Sequence, residues 1–418
     1  MSVKKKIIHI IPNLGAGGAQ RVFSQLSVVL HEHYQLMLCV FNKEEKELYQ
    51  DVLPYSSLDV SEGKNMFFKF FNIYRRIQAL KKIKQQFNPK LSISHLEGAD
   101  LINVLCGRSD VKIIVLHGSK QADVKYKGIY HFFRHKILNP VVIKRADHIV
   151  CVSEGIRKEI ITLYKAKPDK VSVIYNFFEI DKIKQLAVAR LELSAINELF
   201  AQHDVLINCA RLDIQKNIQG LLDVFVAIHQ QSPNVRLLLL GDGDQRETLI
   251  AYAKASGLKT YDIWSQATFT KDAQVYFLGN IENPFPYIQN AKLFALTSGW
   301  EGFPLALGEA MICGTPIVST DCPTGPREML APGTDSSGLS EAEFAEYGIL
   351  MPMLEKTKNN YVNTVKLWSE IILKLLKDEA LLRSYREKGQ QRMSSFSMEK
   401  ITHQWSETIE TLYEKSKK

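Results

Sequence analysis

Two successive series of short apolar runs, most of them separated by helical stretches, constrain this 418-residue chain more than any other feature. The first series comprises Ile7–Ile11, Gln35–Phe41, Leu91–Ser94, Lys112–Leu116, His148–Val152 and Val171–Tyr175. The second comprises Val205–Ala210, Val235–Leu240, Val275–Leu278, Leu293–Leu296, Pro316–Ser319 and Gly348–Met351. Several runs are continuously apolar and β-branched, the pattern of parallel strands covered on both faces. Helical segments between them make parallel crossovers, so two doubly wound α/β sheets are expected. Length agrees, since single cores cluster near ~100–200 residues. The border falls near residues 177–203, where Glu179–Phe200 reads as a polar helical connector. This divides the chain into residues 1–180, residues 181–395 and a last helical segment, residues 396–418, with no strand after it. In an open α/β sheet a ligand sits outside the carboxyl ends of the strands, so functional residues are expected just after these runs.

Composition excludes several classes. No run approaches the ~18 apolar residues of a membrane span. The basic start is followed only by a short strand-like run and a turn, which does not fit a secretory leader. Six scattered cysteines (Cys39, Cys106, Cys151, Cys209, Cys313 and Cys322) form no CxxC pair. That usage suits reduced thiols and a cytoplasmic setting better than a disulfide framework or a zinc site. Net charge is +8 but uneven: residues 1–180 carry +12 and the remainder −4. A basic first half points to an anionic partner, whether nucleic acid, phosphorylated ligand or membrane.

Three loops carry candidate chemistry. After the first run comes Asn13-Leu-Gly15-Ala-Gly17-Gly18-Ala-Gln20-Arg21. Glycines let backbone approach a ligand and the next helix offers free N–H groups to an anion. As a dinucleotide fingerprint the loop fails: Gln20 stands where G-x-G-x-x-G needs glycine, and no acidic residue ends the second run. A tight strand–helix turn is the plainer reading. The second loop, Arg211-Leu-Asp-Ile-Gln-Lys216-Asn217, places two cations at a strand end beside a helix start. An arginine fork and a compact lysine charge suit a diphosphate, although surface ion pairing would use the same residues. The third is Ser298-Gly-Trp-Glu301-Gly302-Phe303-Pro304-Leu305-Ala-Leu-Gly-Glu309, continuing to Gly314-Thr-Pro316. Glu301 ends a strand in a Gly/Pro loop, and Glu309 falls inside the following helix. An acid in an apolar turn is costly without partners, which hydroxyls of a sugar or ribose would supply. Two capping carboxylates remain the bland alternative.

These segments resemble the retaining family-four glycosyltransferases, which have the two-domain GT-B fold. The match rests first on E-G-F-P-x-x-L-x-E-A-x-x-x-G-x-P-I-V from Glu301. Gly15-x-Gly17-Gly18, Val152-Ser-Glu154, Val173-Ile-Tyr-Asn176, Ala210-Arg211-Leu-x(3)-Lys216-Asn217 and Leu240-Gly241-Asp-Gly243 follow in the family's order. Asn283-Pro-Phe-Pro-Tyr287 and Thr320-Asp-Cys-Pro-Thr-Gly325-Pro-Arg-Glu328 resemble members that build bacterial surface polysaccharides.

The resemblance implies two Rossmann-like domains facing a cleft, the first on the acceptor side and the second binding a nucleotide sugar. It implies that Arg211 and Lys216 bind the donor diphosphate and that Glu309 holds the ribose. Glu301 with Gly302, Phe303, Pro304 and Leu305 would face the transferred sugar and phosphate, and Gly15, Gly17, Gly18 and Gly241 would line the donor. His117, after Lys112–Leu116, would contact the sugar near the reacting carbon, although an isolated histidine is more often structural. The implied reaction moves a hexose or N-acetylhexosamine from a UDP-sugar, with retention, to a polyprenyl-linked saccharide. Front-face and double-displacement mechanisms both stay open, with Glu301 the nearest nucleophile by motif. No cofactor is implied. Asp242-Gly-Asp244 spells the D-x-D that holds a divalent cation elsewhere, but its place matches a nucleotide-side turn, so metal independence is expected.

From Gly63 to Leu96 there are eight Lys/Arg and no acid, with Met66, Phe70, Ile73, Ile77 and Leu80 at near-helical spacing. A second basic stretch runs from Lys125 to Arg145. Basic amphipathic helices lie on anionic membranes, so the enzyme is expected to be peripheral on the inner face of the cytoplasmic membrane. A helix packed on the sheet with a solvated basic face reads the same way. Two other classes remain. A sugar-nucleotide epimerase shares the architecture but not the expected glutamate segment. A nucleic-acid-binding protein would explain the basic half, yet no recognition motif accompanies it.

Overall fold

The computed structural model describes residues 4–15, 17–43, 53–60, 66–107, 109–120, 132–191, 195–265, 268–335 and 338–415. Two compact units result: residues 1–177 with 399–418, and residues 178–398.

The first unit is a seven-stranded parallel sheet in the order β3-β2-β1-β4-β5-β6-β7. Its strands are β1 (Lys6–Ile11), β2 (Gln35–Val40), β3 (Tyr55–Ser57), β4 (Leu91–His95), β5 (Val111–Leu116), β6 (His148–Cys151) and β7 (Val171–Val173). Ile7, Ile8, Ile10 and Ile11 are fully buried because helices cover both sheet faces. On one face, Ile73, Ile77 and Leu80 of the helix Met66–Phe87 pack on Ile8, Ile10 and Cys39. That helix therefore docks on the sheet, while Phe68, Phe71 and Tyr74 stand about half exposed on it. The last helix, Met398–Lys415, belongs to this unit from residue 399 onward. It buries Ile401, Trp405 and Ile409, and Glu410 pairs with Lys5 and accepts a hydrogen bond from Tyr34 at 3.0 Å.

The second unit is an eight-stranded sheet, β10-β11-β9-β8-β12-β13-β15-β14. Its strands are β8 (Asp204–Cys209), β9 (Val235–Leu240), β10 (Thr260–Asp262), β11 (Val275–Gly279), β12 (Leu293–Leu296), β13 (Ile317–Thr320), β14 (Glu343–Phe344) and β15 (Ile349–Met351). All pairs are parallel except β14–β15. Phe225, Leu237, Val275, Trp368 and Ile372 form its core, and the Trp368 indole donates to the Pro352 carbonyl at 2.9 Å.

The twelve expected strands are all present within a residue or two. Three more appear: β3, β10 and β14. Each is an edge strand of two or three residues with polar members, and an edge position does not demand a continuous apolar run. The expected connector over Glu179–Phe200 is two helices, Ile180–Ala187 and Ala195–Gln202. Residues 125–131 of the second basic stretch, with residues 63–65 of the first, lie outside the described residues. No helix among the described residues is long and apolar enough to cross a membrane.

Candidate functional site

In each sheet the order of the central strands reverses, and the crevice at that reversal is where an open α/β sheet receives ligands. In the second unit the reversal lies between β8 and β12, which pair directly. Loops leaving the carboxyl ends of these two strands carry Arg211, Lys216 and Glu301.

After β8 the chain turns sharply. Asp213 caps the 3-10 turn Ile214–Lys216 by accepting from the Lys216 N–H at 3.1 Å. Asn217 follows in the left-handed region at φ 49° and caps the next helix, Ile218–Gln231, through the Gly220 N–H. This double cap fixes the backbone that carries Lys216. After β12, Thr297 donates to the carbonyls of Lys216 and Asn217 at 3.1 and 3.2 Å. Gly299 donates its N–H to the Gln215 carbonyl at 2.8 Å, and the Gln215 amide donates to the Trp300 carbonyl at 2.8 Å. The two loops are therefore tied by backbone and side-chain bonds alike.

Across this seam Lys216 Nζ meets Glu301 Oε1 at 2.7 Å, and Ser298 Oγ donates to the same oxygen at 2.6 Å. The Glu301 side chain is 6% exposed and that of Lys216 17%, so the pair is held mostly out of water. Arg211 differs: its guanidinium pairs with Asp213 at 3.0 Å and is 58% exposed, open to a further anion. Thr324 donates to the Glu301 carbonyl, which draws the segment after β13 onto the glutamate loop. Gly325 sits there at φ 88°, and a Cβ on it would lie 2.7 Å from Pro304 Cδ and 2.8 Å from the Gly302 oxygen. Burial, and after it the Glu301 carboxylate, keep the Cys322 thiol protonated.

Leu305 opens the helix Leu305–Ile312, capped by Pro304 without any side-chain acceptor. Its first N–H groups follow directly on Gly302–Pro304, as a helix start that receives an anion should. Glu309 lies in this helix and is buried. Gly241, directly after β9, has φ 128° and packs so closely that a Cβ would meet the Ala210 oxygen at 2.0 Å. Only glycine fits that backbone. Asp242 is engaged by Arg246 at 3.1 Å and by the Gly243 N–H at 2.8 Å. Among the described residues no cluster of His, Cys, Asp or Glu is gathered as metal ligands would be.

The remaining expected residues, Gly15, Gly17, Gly18 and His117, belong to the first unit. Gly18 begins the helix Gly18–His33 and Gly17 is its N-cap, again without a side-chain acceptor. His117 follows β5 and is joined to two histidines that sequence reasoning did not single out. His95 Nδ1 lies 2.7 Å from His117 Nε2, and His95 Nε2 lies 2.7 Å from His9 Nε2. His9 Nδ1 lies 2.8 Å from Ser27 Oγ. Burial, then the His117 charge, lowers the His9 pKa to about 3. Burial, then His9, holds His95 well below its ordinary value. Burial, then Lys120, lowers His117 to about 4. All three are neutral imidazoles at neutral pH. Their one signal in the sequence is a histidine inside or ending an otherwise apolar strand run.

Two doubly wound parallel units of this kind define the GT-B class of fold. In keeping with it, the structure matches Anabaena HepE, solved in complex with UDP, with a TM-score of 0.72 over 97% of this chain and 100% of that one, at 18% identity. The model for Glycosyltransferase Family 4 matches residues 16–182, and that for Glycosyl transferases group 1 matches residues 190–344. The chain belongs to this family of glycosyltransferases. It is 29% identical over 84% of its length to an uncharacterized glycosyltransferase of Methanocaldococcus jannaschii, covering 86% of that protein. It is 24% identical over 95% of its length to the N-acetylgalactosamine-N,N'-diacetylbacillosaminyl-diphospho-undecaprenol 4-alpha-N-acetylgalactosaminyltransferase of Campylobacter jejuni, covering 97% of that protein.

Proposed function

We propose that this glycosyltransferase moves a hexose or N-acetylhexosamine from a UDP-sugar to a polyprenyl-linked saccharide in bacterial surface polysaccharide synthesis, with retention at the anomeric carbon. The observation that carries the donor assignment is the Lys216–Glu301 pair bridging β8 and β12 at the switch point. Transfer from a nucleoside diphosphate sugar places negative charge on the departing diphosphate, and fixed donors aimed at that charge lower the barrier. Lys216 keeps two ammonium hydrogens beyond the one given to Glu301, and Arg211 presents an exposed fork. The start of the helix Leu305–Ile312 adds backbone N–H groups and the positive end of its dipole. Glu301 holds Lys216 in place and Glu309 binds the ribose. Protein cations meet the diphosphate charge in this reading, and the pairing of Asp242 with Arg246 supports a metal-independent reaction. HepE was solved with UDP, and the Campylobacter relative acts on a diphospho-undecaprenol, which supports both the donor and the acceptor assigned here.

The acceptor's lipid carrier calls for a membrane surface. Phe68, Phe71 and Tyr74 on the basic helix, with Phe132, Phe133 and Ile137, offer exposed apolar side chains in the same unit. Reversal of Lys81 and Lys82 is expected to weaken binding to anionic vesicles; unchanged binding removes the membrane reading. The test of function is transfer from a panel of UDP-sugars to undecaprenyl diphosphate saccharides in EDTA, with the product anomer read by NMR. Transfer in EDTA with a retained anomer is expected. An inverted product, or activity that only manganese restores, contradicts the proposal.

A further inference from the structure

The first unit's sheet reverses between β1 and β4, and the histidine chain crosses that point. Register explains the chain. His9 on β1 pairs with Ile93 of β4, so His95, two residues on, shares its face. His95 pairs with Val115 of β5, so His117, two residues on again, continues the same face one step further out. The three imidazoles therefore climb diagonally toward the carboxyl edge. Phe23 of the covering helix stacks on His9 with ring centroids 4.0 Å apart, closing the buried end.

Each link in this chain holds one proton, and chemistry fixes its direction. Ser27 Oγ lies 2.7 Å from the Phe23 carbonyl oxygen, which can only accept, so the single hydroxyl proton points there. Ser27 must then accept from His9 Nδ1–H. The neutral His9 has a bare Nε2, which accepts from His95 Nε2–H. The bare His95 Nδ1 accepts in turn from His117 Nε2–H. His117, half-buried, is left with an unprotonated Nδ1, for which no hydrogen-bond partner is seen among the described residues.

We propose that Ser27, His9 and His95 are positioning residues that lock His117 in the Nε2–H form, so that Nδ1 is offered as a hydrogen-bond acceptor to a hydroxyl of the transferred sugar. This rests on the reading of His117 as the sugar contact. An acceptor lone pair selects an O–H donor and disfavours a phosphate oxygen, so the ligand group here is a hydroxyl and not the diphosphate. Neutrality follows from the same count: an added proton on His9 or His95 would set N–H against N–H inside the sheet.

The test is a nitrogen–proton NMR spectrum of protein labelled with nitrogen-15 in histidine, recorded at pH 7 on the wild type and on Ser27→Ala. The wild type is expected to show His117 protonated on Nε2 and bare on Nδ1. Ser27→Ala leaves one buried nitrogen unpaired whichever way the chain runs, so His117 becomes a mixture of tautomers. Its kcat/KM for transfer falls about 2–10-fold, the worth of one hydrogen bond, while UDP affinity is unchanged and Ser27→Thr restores both readouts. A wild-type His117 protonated on Nδ1 overturns the proposal, and that spectrum decides even where the variant fails to fold. A tautomer shift with unchanged transfer overturns instead the sugar-contact reading on which the proposal rests.

Discussion

Replacing Lys216 with methionine separates what the Lys216–Glu301 pair does for stability from what it does for transfer. The change keeps most of the apolar stem and removes the charge. Glu301 then stays buried, with the Ser298 hydroxyl as its remaining side-chain donor at 2.6 Å. Breaking a fully buried pair costs about 3–5 kcal/mol. Lys216 retains some exposure and Ser298 stays, so about 2–3 kcal/mol is expected here, a fall of about 4–12 °C in the melting temperature of the second unit. Adding Glu301→Gln removes the stranded charge and keeps the shape, so the double variant recovers to within about 1 kcal/mol of wild type. Turnover behaves differently. Both variants lack the cation proposed to meet the diphosphate, and both are expected to lose about 10²–10³ in kcat. The assays are thermal melting and steady-state transfer on the same preparations. A folded Lys216→Met enzyme with near-normal turnover, or a double variant that regains turnover with stability, would show that Lys216 does not meet the diphosphate charge.

Three further outcomes follow from the geometry. Gly241→Ala sets a Cβ 2.0 Å from the Ala210 oxygen on a backbone at φ 128°; a loss of at least about 2 kcal/mol in urea unfolding is expected, and wild-type stability would contradict it. His9, His95 and His117 stay neutral in the fold while the unfolded chain protonates them near the ordinary value of 6.5. The unfolded state then binds more protons below that pH. Stability is full above pH 6.5 and falls as pH drops toward about 4 for His117 and about 3 for His9, by up to about 1.4 kcal/mol per pH unit for each. Urea midpoints measured from pH 7.5 to 4.5 check this, and a flat profile opposes it. Deleting the residues after Ser397 uncovers the surface buried by Trp405 and Ile409 and removes Glu410 from Lys5 and Tyr34; the first unit's melting temperature should fall, and unchanged melting would show that the helix contributes nothing.

The fold was legible wherever burial on both faces forces a continuous apolar run, as in Ile7–Ile11 and Val235–Leu240. It was not legible at the edges: Tyr55-Ser-Ser57 and Glu343-Phe344 are strands because a neighbour's free backbone groups pair with them, a demand that leaves little mark on side chains. The site divides the same way. Arg211, Lys216 and Glu301 could be found because cations and a carboxylate after a strand end need a reason. That Lys216 touches Glu301, 85 positions away, comes from the adjacency of β8 and β12. The histidine chain lay further out of reach. Three isolated histidines look alike in sequence, and only the strand register makes them one hydrogen-bonded line ending at Ser27.

Calorimetric titration of UDP, GDP, ADP and NAD into the magnesium-free protein probes the donor site itself. UDP is expected to bind, Arg211→Ala and Lys216→Met each to weaken it at least tenfold, and NAD to give no heat. Binding of none of the nucleotides, or UDP binding untouched by either substitution, would contradict a donor diphosphate held at the β8–β12 switch point.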